Sequence, residues 1–362
     1  MVQVCFQGPL ADDGVLAALI GRADGAGQIA GAGLTGGDLV VPGIGPGAGI
    51  AVRLADLGAE ELARLRYLAA VLGLGESGQT VETAAGPVAA VAFVPEAPGT
   101  EPWQDAEFLG WGPILAAAIP EILDYRDRLA PSETASRLPV ILFRASSRAA
   151  AALATPKPAE SGLSLKDVRI HERRRPYSNY FAVEELVYSH ARFSGGWSEP
   201  VLRAVFIASD AVTVLPYDPV RDRVLLVEQV RAAPIARGDA NAWILEPVAG
   251  RIEPGHSPET TARKEAEEEA GLALRDLHFI NDYYVSTGCF SEYLYSYLGI
   301  ADLPDTAAGL GGVLAEGEDI RAHILSREEM MRRVRANEIP DGPLLLSAYW
   351  LEANLAWLRS PG

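Results

Sequence analysis

Cysteine is nearly absent: Cys5 and Cys289, far apart in sequence, are the only two in 362 residues. Such usage excludes a disulfide scaffold and fits a reducing compartment. No uninterrupted apolar run of about eighteen residues occurs, so no helical membrane span is expected. The opening Met1-Val2-Gln3-Val4-Cys5-Phe6-Gln7-Gly8 lacks the basic start and apolar core of a signal peptide, leaving the cytoplasm as the expected location. Basic residues are scarce beside acidic ones, 31 against 48, for a formal net charge of −17. That balance argues against a nucleic acid or an anionic membrane as partner, because phosphate binding relies on Lys and Arg. An anionic small molecule would need a locally positive or metal-lined site. What is present is an ordinary globular composition, 49% hydrophobic and 22% charged, over a length that suggests two domains.

One stretch organises the chain, Gly250 to Leu272. It reads as a tight loop followed by a helix with its own start and stop signals. Ser257 can cap the N-terminus, Pro258 suits the first helical position, Glu259 complements the dipole, and Gly271 is placed for a left-handed stop. Near the helix end stand Glu265, Glu267, Glu268 and Glu269. Three of them, Glu265, Glu268 and Glu269, share a face by their spacing of three and four. Like charges so spaced repel, and acids at a helix C-terminus oppose the dipole. The bland interpretation is a solvated acidic face. A divalent cation would reverse both penalties, and hard cations take oxygen ligands.

The pattern Gly250, five residues, His256, seven residues, Lys264-Glu265-Ala266-Glu267-Glu268-Glu269-Ala270-Gly271-Leu272 resembles the Nudix box. His256 stands where that family has its first Glu, and Lys264 where it has Arg. Four further pieces resemble the ADP-ribose pyrophosphatase branch of the Nudix hydrolases: Leu215 to Asp222, Glu228 to Arg231, Glu246 to Gly250, and Glu316 to Ile320. The resemblance spans about residues 165–360. It implies Mg²⁺-dependent cleavage of ADP-ribose to AMP and ribose 5-phosphate, with Mn²⁺ as an alternative metal. By the same resemblance the Ala249 carbonyl, Glu265, Glu269 and Glu318 are the metal ligands, Glu268 acts through water, and Glu316 is the general base. Arg231 would face the diphosphate, with Arg203, Arg251, Ser286 and Glu292 as further substrate contacts. The loop Ser286 to Ser291 differs from the family's Pro-Gly-Gly run, which leaves specificity on the ribose side open. Two alternatives stand beside this: another nucleoside diphosphate sugar as substrate, or a module that binds a nucleotide sugar and hydrolyses it poorly. Relatives of this branch are usually homodimers, with strands like those at about 165–210 reaching the partner's site. Cys289 is expected as a packed thiol, as free Cys usually is.

The expected fold class is α+β in two domains. Residues 165–362 form a Nudix α/β/α sandwich with a mixed sheet; 153–164, rich in Pro, Gly and Ser, form the linker. Residues 1–152 resemble the gamma-glutamylcyclotransferase-like domain, a small mixed barrel, through Phe6-Gln7-Gly8-Pro9-Leu10 and Leu65-Arg66-Tyr67-Leu68-Ala69. Ala69 falls at the position of that family's catalytic acid and cannot take a proton, so this domain is expected to be non-catalytic. Within it, the spacing of Leu62, Leu65, Leu68 and Leu72 predicts a helix over 59–72, and Thr80 to Val94 reads as a hairpin turning near Ala85-Gly86. A helical region is expected from about Trp103 to Leu129, interrupted by Pro113 and Pro120. A basic run, Arg173-Arg174-Arg175, follows the linker. There is no internal repeat.

Overall fold

The computed structural model describes residues 1–21, 27–29, 32–35, 41–47, 49–96, 101–102, 104–106, 108–312 and 317–359. Contacts divide the chain into two compact units, Met1–Ser209 with Glu253–His256, and Asp210–Ile252 with Ser257–Gly362.

In the first unit, β1 (Val2–Phe6), α1 (Asp13–Ile20), β2 (Gly27–Ile29), β3 (Ala32–Thr35), β4 (Gly43–Pro46) and β5 (Ile50–Leu57) precede α2 (Ala59–Val71). They are followed by β6 (Leu74–Thr83), β7 (Gly86–Pro95), α3 (Trp111–Asp124), α4 (Pro131–Ala135) and α5 (Leu138–Leu153). Among the described residues β1, β5, β2, β6 and β7 close a barrel. Its sheet is mixed, since β1 runs parallel to β7 and antiparallel to β5. Leu62, Leu65, Leu68 and Ala69 of α2 are buried, as the leucine spacing requires, and Leu72 packs against the same core. The β6–β7 hairpin turns at Ala84-Ala85, where Gly86 takes φ +113. Of the expected helix over 103–129, the structure shows α3; Trp103 lies outside the described residues. Pro113 sits in its first turn, where its missing N–H costs nothing, and Pro120 is inside it.

The unit continues with β8 (Val168–Ser178), β9 (Ala182–His190) and β10 (Val201–Ile207), an antiparallel sheet ordered β10-β9-β8. Residues 165–209 thus group by contact with the N-terminal residues. A buried charge network accounts for this. Glu121 of α3 receives Arg144 of α5 at 2.6 Å, both almost fully enclosed. Glu184 of β9 receives Arg148 of α5 at 2.6 Å and Arg175 of β8 at 2.7 Å. Burial raises the Glu184 carboxyl, but Arg148, Arg175 and Arg173 outweigh it and hold its pKa below the ordinary value. Removing one member of such a set would leave a buried charge uncompensated.

Among the described residues the second unit is built on an eight-stranded mixed sheet. Its strands are β11 (Ala211–Asp218), β12 (Arg223–Val230), β13 (Trp243–Glu246), β14 (Val248–Arg251), β15 (Asp276–Tyr284), β16 (Tyr293–Ile300), β17 (Gly309–Gly311) and β18 (Ile320–Ser326). The main path runs β15-β16-β11-β12-β18-β17, with β13 on β12 and β14 on β11; β11 and β16 are parallel. Its helices are α6 (Ala232–Arg237), α7 (Pro258–Ala270), α8 (Arg327–Arg335) and α9 (Gly342–Leu358). Two apolar clusters fill it: Ala262 and Ala266 of α7 pack with Val212, Val214 and Val248, while Met330 of α8 and Leu344 of α9 pack with Leu215 and Leu226. Alternate residues of β11 thereby serve two cores, which places helices on both sides of the sheet.

Candidate active site

Helix α7 is built as its sequence requires. Ser257 Oγ accepts the Thr260 N–H at 3.0 Å, Pro258 occupies the first turn, and Gly271 ends the helix at φ +62. Its buried stripe runs Pro258, Thr261, Ala262, Ala266 and Glu269. The last position carries an acid where the period calls for an apolar residue. Glu269 is 2% exposed and its Oε2 accepts the Ala249 N–H from β14 at 3.1 Å. Burial pushes this carboxyl up to about 8; Glu265 and Glu318 push the same way, against the pull of the Ala249 N–H and Arg231. A carboxyl so placed is neutral at pH 7 unless a cation joins it.

Glu265 lies over the backbone of β14: a Cβ placed on Gly250 would stand 2.0 Å from its Cδ. The glycine at the head of the motif therefore makes room for a carboxylate. Gly250→Ala is expected to displace Glu265 and lower turnover roughly a hundredfold, as misplacement of a positioned group does. Steady-state kinetics beside a thermal melt would check it, since the melt should barely move. Glu268, by contrast, is more than a third exposed and pairs with Lys264 at 3.5 Å. Lys264 thus compensates a neighbouring acid in the place of the family's Arg. His256 Nδ1 lies 3.4 Å from Glu253 Oε2, a contact without hydrogen-bond geometry. On the far side, β17 brings Gly311 so close to the end of α7 that a Cβ there would stand 2.0 Å from the Glu269 carbonyl oxygen. Gly312, at φ +91, lies against Glu318.

Arg231 follows β12 and is held by Glu246 of β13. Its Nε donates to both carboxylate oxygens, at 3.0 and 2.8 Å, and Nη2 donates to Oε2 at 2.6 Å. Burial opposes the guanidinium charge but Glu246, Glu269 and Asp341 more than restore it. Nη1 has no partner among the described residues, leaving two N–H groups for a ligand. Glu292 is pushed up to about 7 by burial and by Asp210, with Arg231 pulling it back. Asp341, which caps α9 by accepting the Leu344 N–H at 2.7 Å, is raised to about 6 by burial and Glu246, with Arg231 again opposing. One arginine therefore sits among Glu246, Glu269, Glu292 and Asp341.

The structure accordingly brings together Ala249, Glu265, Glu269, Glu318, Arg231 and Glu292. Glu268 faces solvent on the same helix, and Arg251 is half-buried at the end of β14. Ser286 is exposed, its Oγ 3.5 Å from Cys289 Sγ. Arg203 lies on β10 of the other unit, exposed, donating to the Leu202 carbonyl at 2.8 Å. Glu316 lies outside the described residues. One expectation is overturned: Cys289 is exposed, not packed, because Ser286 to Cys289 form a surface turn between β15 and β16. Sequence reasoning passed over Glu246 as the anchor of Arg231, although Glu246 lies inside a segment that resembles the family, and over Asp341. The Asp341-Gly342-Pro343 run signals a helix start, and nothing in it signals a place beside the arginine.

The donor set here is oxygen only, which suits Mg²⁺ or Mn²⁺ and not a soft metal. Among the described residues no three His, Cys, Asp or Glu side chains form a ready-made cage. Mg²⁺ does not need one, since it keeps several waters and takes one or two carboxylates plus phosphate oxygens. Buried Glu269 and half-buried Glu265, which repel each other, fit such an ion, which would hold both charged.

A mixed sheet between helices, with a glycine-fronted acidic helix and an anchored arginine at its side, is the arrangement of a Nudix hydrolase, and this chain belongs to that family. Residues 208–344 match the NUDIX domain. The ADP-ribose pyrophosphatase of Escherichia coli (strain K12) is 38% identical over 194 residues, 54% of this chain and 92% of that protein. That of Haemophilus influenzae is 34% identical over 198 residues, 54% and 91%. The GDP-mannose pyrophosphatase of Enterobacter sp. (strain 638) is 29% identical over 174 residues, 48% and 89%. A solved structure described as an ADP compounds hydrolase aligns with 55% of this chain and 100% of its own at TM-score 0.41 and 20% identity, too slight a likeness to bear on the fold.

Proposed function

We propose that the protein hydrolyses the diphosphate bond of ADP-ribose, giving AMP and ribose 5-phosphate, with a divalent cation, Mg²⁺ or Mn²⁺. The observation that carries this is the buried Glu269 beside Glu265 and Glu318 with Arg231 opposite. The identity to two ADP-ribose pyrophosphatases selects the substrate. The Ala249 carbonyl, Glu265, Glu269 and Glu318 would hold the cation, with Glu268 acting through water. When bound, the cation would neutralise the diphosphate and polarise its phosphoryl groups. Arg231, kept in place by Glu246, turns its two remaining Nη1–H groups to a phosphoryl oxygen, a contact suited to a guanidinium. Water attacks one phosphorus and gives its proton to Glu316; the bond to the bridging oxygen breaks, and that oxygen leaves with the other phosphate. Arg203, Arg251, Ser286 and Glu292 are assigned to the remainder of the substrate.

The experiment is incubation of the full chain with ADP-ribose and Mg²⁺, followed by separation of the products. AMP and ribose 5-phosphate in equal amounts are expected; ADP-ribose returned intact would refute the proposal. The GDP-mannose pyrophosphatase relatives and the divergent loop Ser286 to Ser291 favour a second reading, another nucleoside diphosphate sugar, which GDP-mannose in the same assay tests.

The Nudix domain is taken to occupy 165–362. The likeness to the Escherichia coli relative, 194 residues long against the 137 of 208–344, supports a domain that extends beyond those bounds. The closed mixed barrel and the buried Ala69 support a non-catalytic gamma-glutamylcyclotransferase-like domain over 1–152, with 153–164 as linker. A homodimer in the cytoplasm is the proposed working form. Leu202 and Phe206, four residues apart on β10 and so on one face of the sheet, stand about half exposed and offer an apolar patch suited to a second copy. No helix among the described residues is long and apolar enough to cross a membrane.

A further inference from the structure

A cavity lies within the N-terminal unit, where the end of α3, the start of α5 and the last residues of β8 meet. Its volume is about 280 Å³, and Tyr125, Arg128, Arg137, Arg175, Tyr177 and Ser178 line it. No carboxylate lines it, in a chain where acids outnumber bases 48 to 31. Arg128 donates through Nε and Nη2 to the Asp124 carbonyl, at 3.0 and 2.8 Å, and Arg137 donates through Nη1 to the Ser178 carbonyl at 2.9 Å. Both guanidinium groups are thus held by neutral oxygens, with no ion pair among the described residues. Their central carbons stand 5.3 and 5.5 Å from the centroid of one ring, Tyr125. Two like charges sharing a ring repel unless something negative lies between them.

Two further groups point the same way. Tyr125 is 5% exposed, and its hydroxyl is buried without a hydrogen-bond partner. Arg175 spends its Nη groups on Asp124 and Glu184, yet its buried Nε also has none. Buried donors are nearly always satisfied, so two residues that line this cavity each carry a polar group short of a partner. The register of β8 shifts between Arg174 and Tyr177, a bulge of the kind that re-aims side chains. A strand that simply alternated would not give Arg175, Pro176, Tyr177 and Ser178 to one cavity.

We propose that this cavity binds a phosphate oxyanion, either free phosphate or the phosphate of a small organic ester. A tetrahedral anion accepts several N–H groups at once, and a guanidinium fork meets two of its oxygens. The site lies wholly within the contact unit Met1–Ser209 and uses no residue assigned to diphosphate cleavage.

The test is calorimetric titration of the full chain, at constant ionic strength, with inorganic phosphate, glycerol phosphate and chloride. Because the diphosphate site can also take phosphate, each titration is repeated with Arg137→Gln and with Arg128→Gln/Arg137→Gln. The expected result is a phosphate-binding step, absent with chloride, that weakens about tenfold in the single variant and disappears in the double. Hydrolysis of ADP-ribose should be unchanged in both, and circular dichroism confirms that they fold. Arg137→Lys, which keeps the charge and loses the fork, should fall between wild type and Arg137→Gln. Tighter binding of glycerol phosphate than of phosphate identifies an ester site, and equal binding a free-phosphate site. Phosphate binding that is the same in wild type and the folded double variant, or absent from both, overturns the proposal.

Discussion

Glu269→Gln is expected to lower ADP-ribose turnover about a thousandfold, equivalent to roughly 4 kcal/mol of transition-state stabilisation. The substitution keeps size and retains an oxygen for the Ala249 N–H, which Glu269 accepts at 3.1 Å. What it removes is the ionised form. In the metal-free protein burial holds this carboxyl near 8, so a neutral amide resembles the resting side chain closely. The fold should therefore persist while the capacity to hold a cation against the diphosphate is lost. Measured kcat and KM should separate the two effects, with the fall in kcat and a melting temperature at least that of the wild type. Turnover close to wild type would remove Glu269 from the chemistry.

The same carboxyl makes stability depend on pH and metal. A group raised from 4.5 to about 8 keeps its proton in the folded state over a range where the unfolded chain has lost it. The folded state then binds more protons, so stability falls as pH rises from about 4.5 to 8 and stays low above that. Glu292, raised to about 7, and Asp341, raised to about 6, add in the lower part of that window. For Glu269 the loss amounts to a few kcal/mol, which shifts the melting temperature of the metal-free protein by several degrees. A dication that binds the ionised form reverses it, so Mg²⁺ should raise the melting temperature far more near pH 8 than near pH 5. Melts of chelator-treated protein across that range provide the measurement. In Glu269→Gln both the slope and the Mg²⁺ response should shrink, whereas a flat profile in the wild type would contradict the assignment of the buried proton.

Much of this was legible in the residues because it is local. The α7 caps at Ser257 and Gly271, the leucine face of α2 and the hairpin β6–β7 follow from spacing and turn chemistry a few residues long. Which acid of α7 is buried was not legible in this way. Glu265, Glu268 and Glu269 share a face by spacing, but only the packing of Ala262 and Ala266 on the sheet decides that Glu269 goes inside and Glu268 stays in water. The pairing of Arg231 with Glu246 spans two strands, and the place of Asp341 depends on how α9 begins. The length of β8 was hidden because its residues are mostly polar and exposed.

The network around Glu121 and Glu184 carries a lesson for anyone dividing this chain. The proline-bearing segment at 153–164 looks like the natural place to cut, and the half that follows it carries the hydrolase. A fragment starting there would keep Glu184 but forfeit Arg148, and would keep Arg175 but forfeit Asp124. Strands evolved to be clasped by two helices would enter solution with their sockets open. The seam in the gene and the seam in the folded object are different places, and expression designs should respect the second.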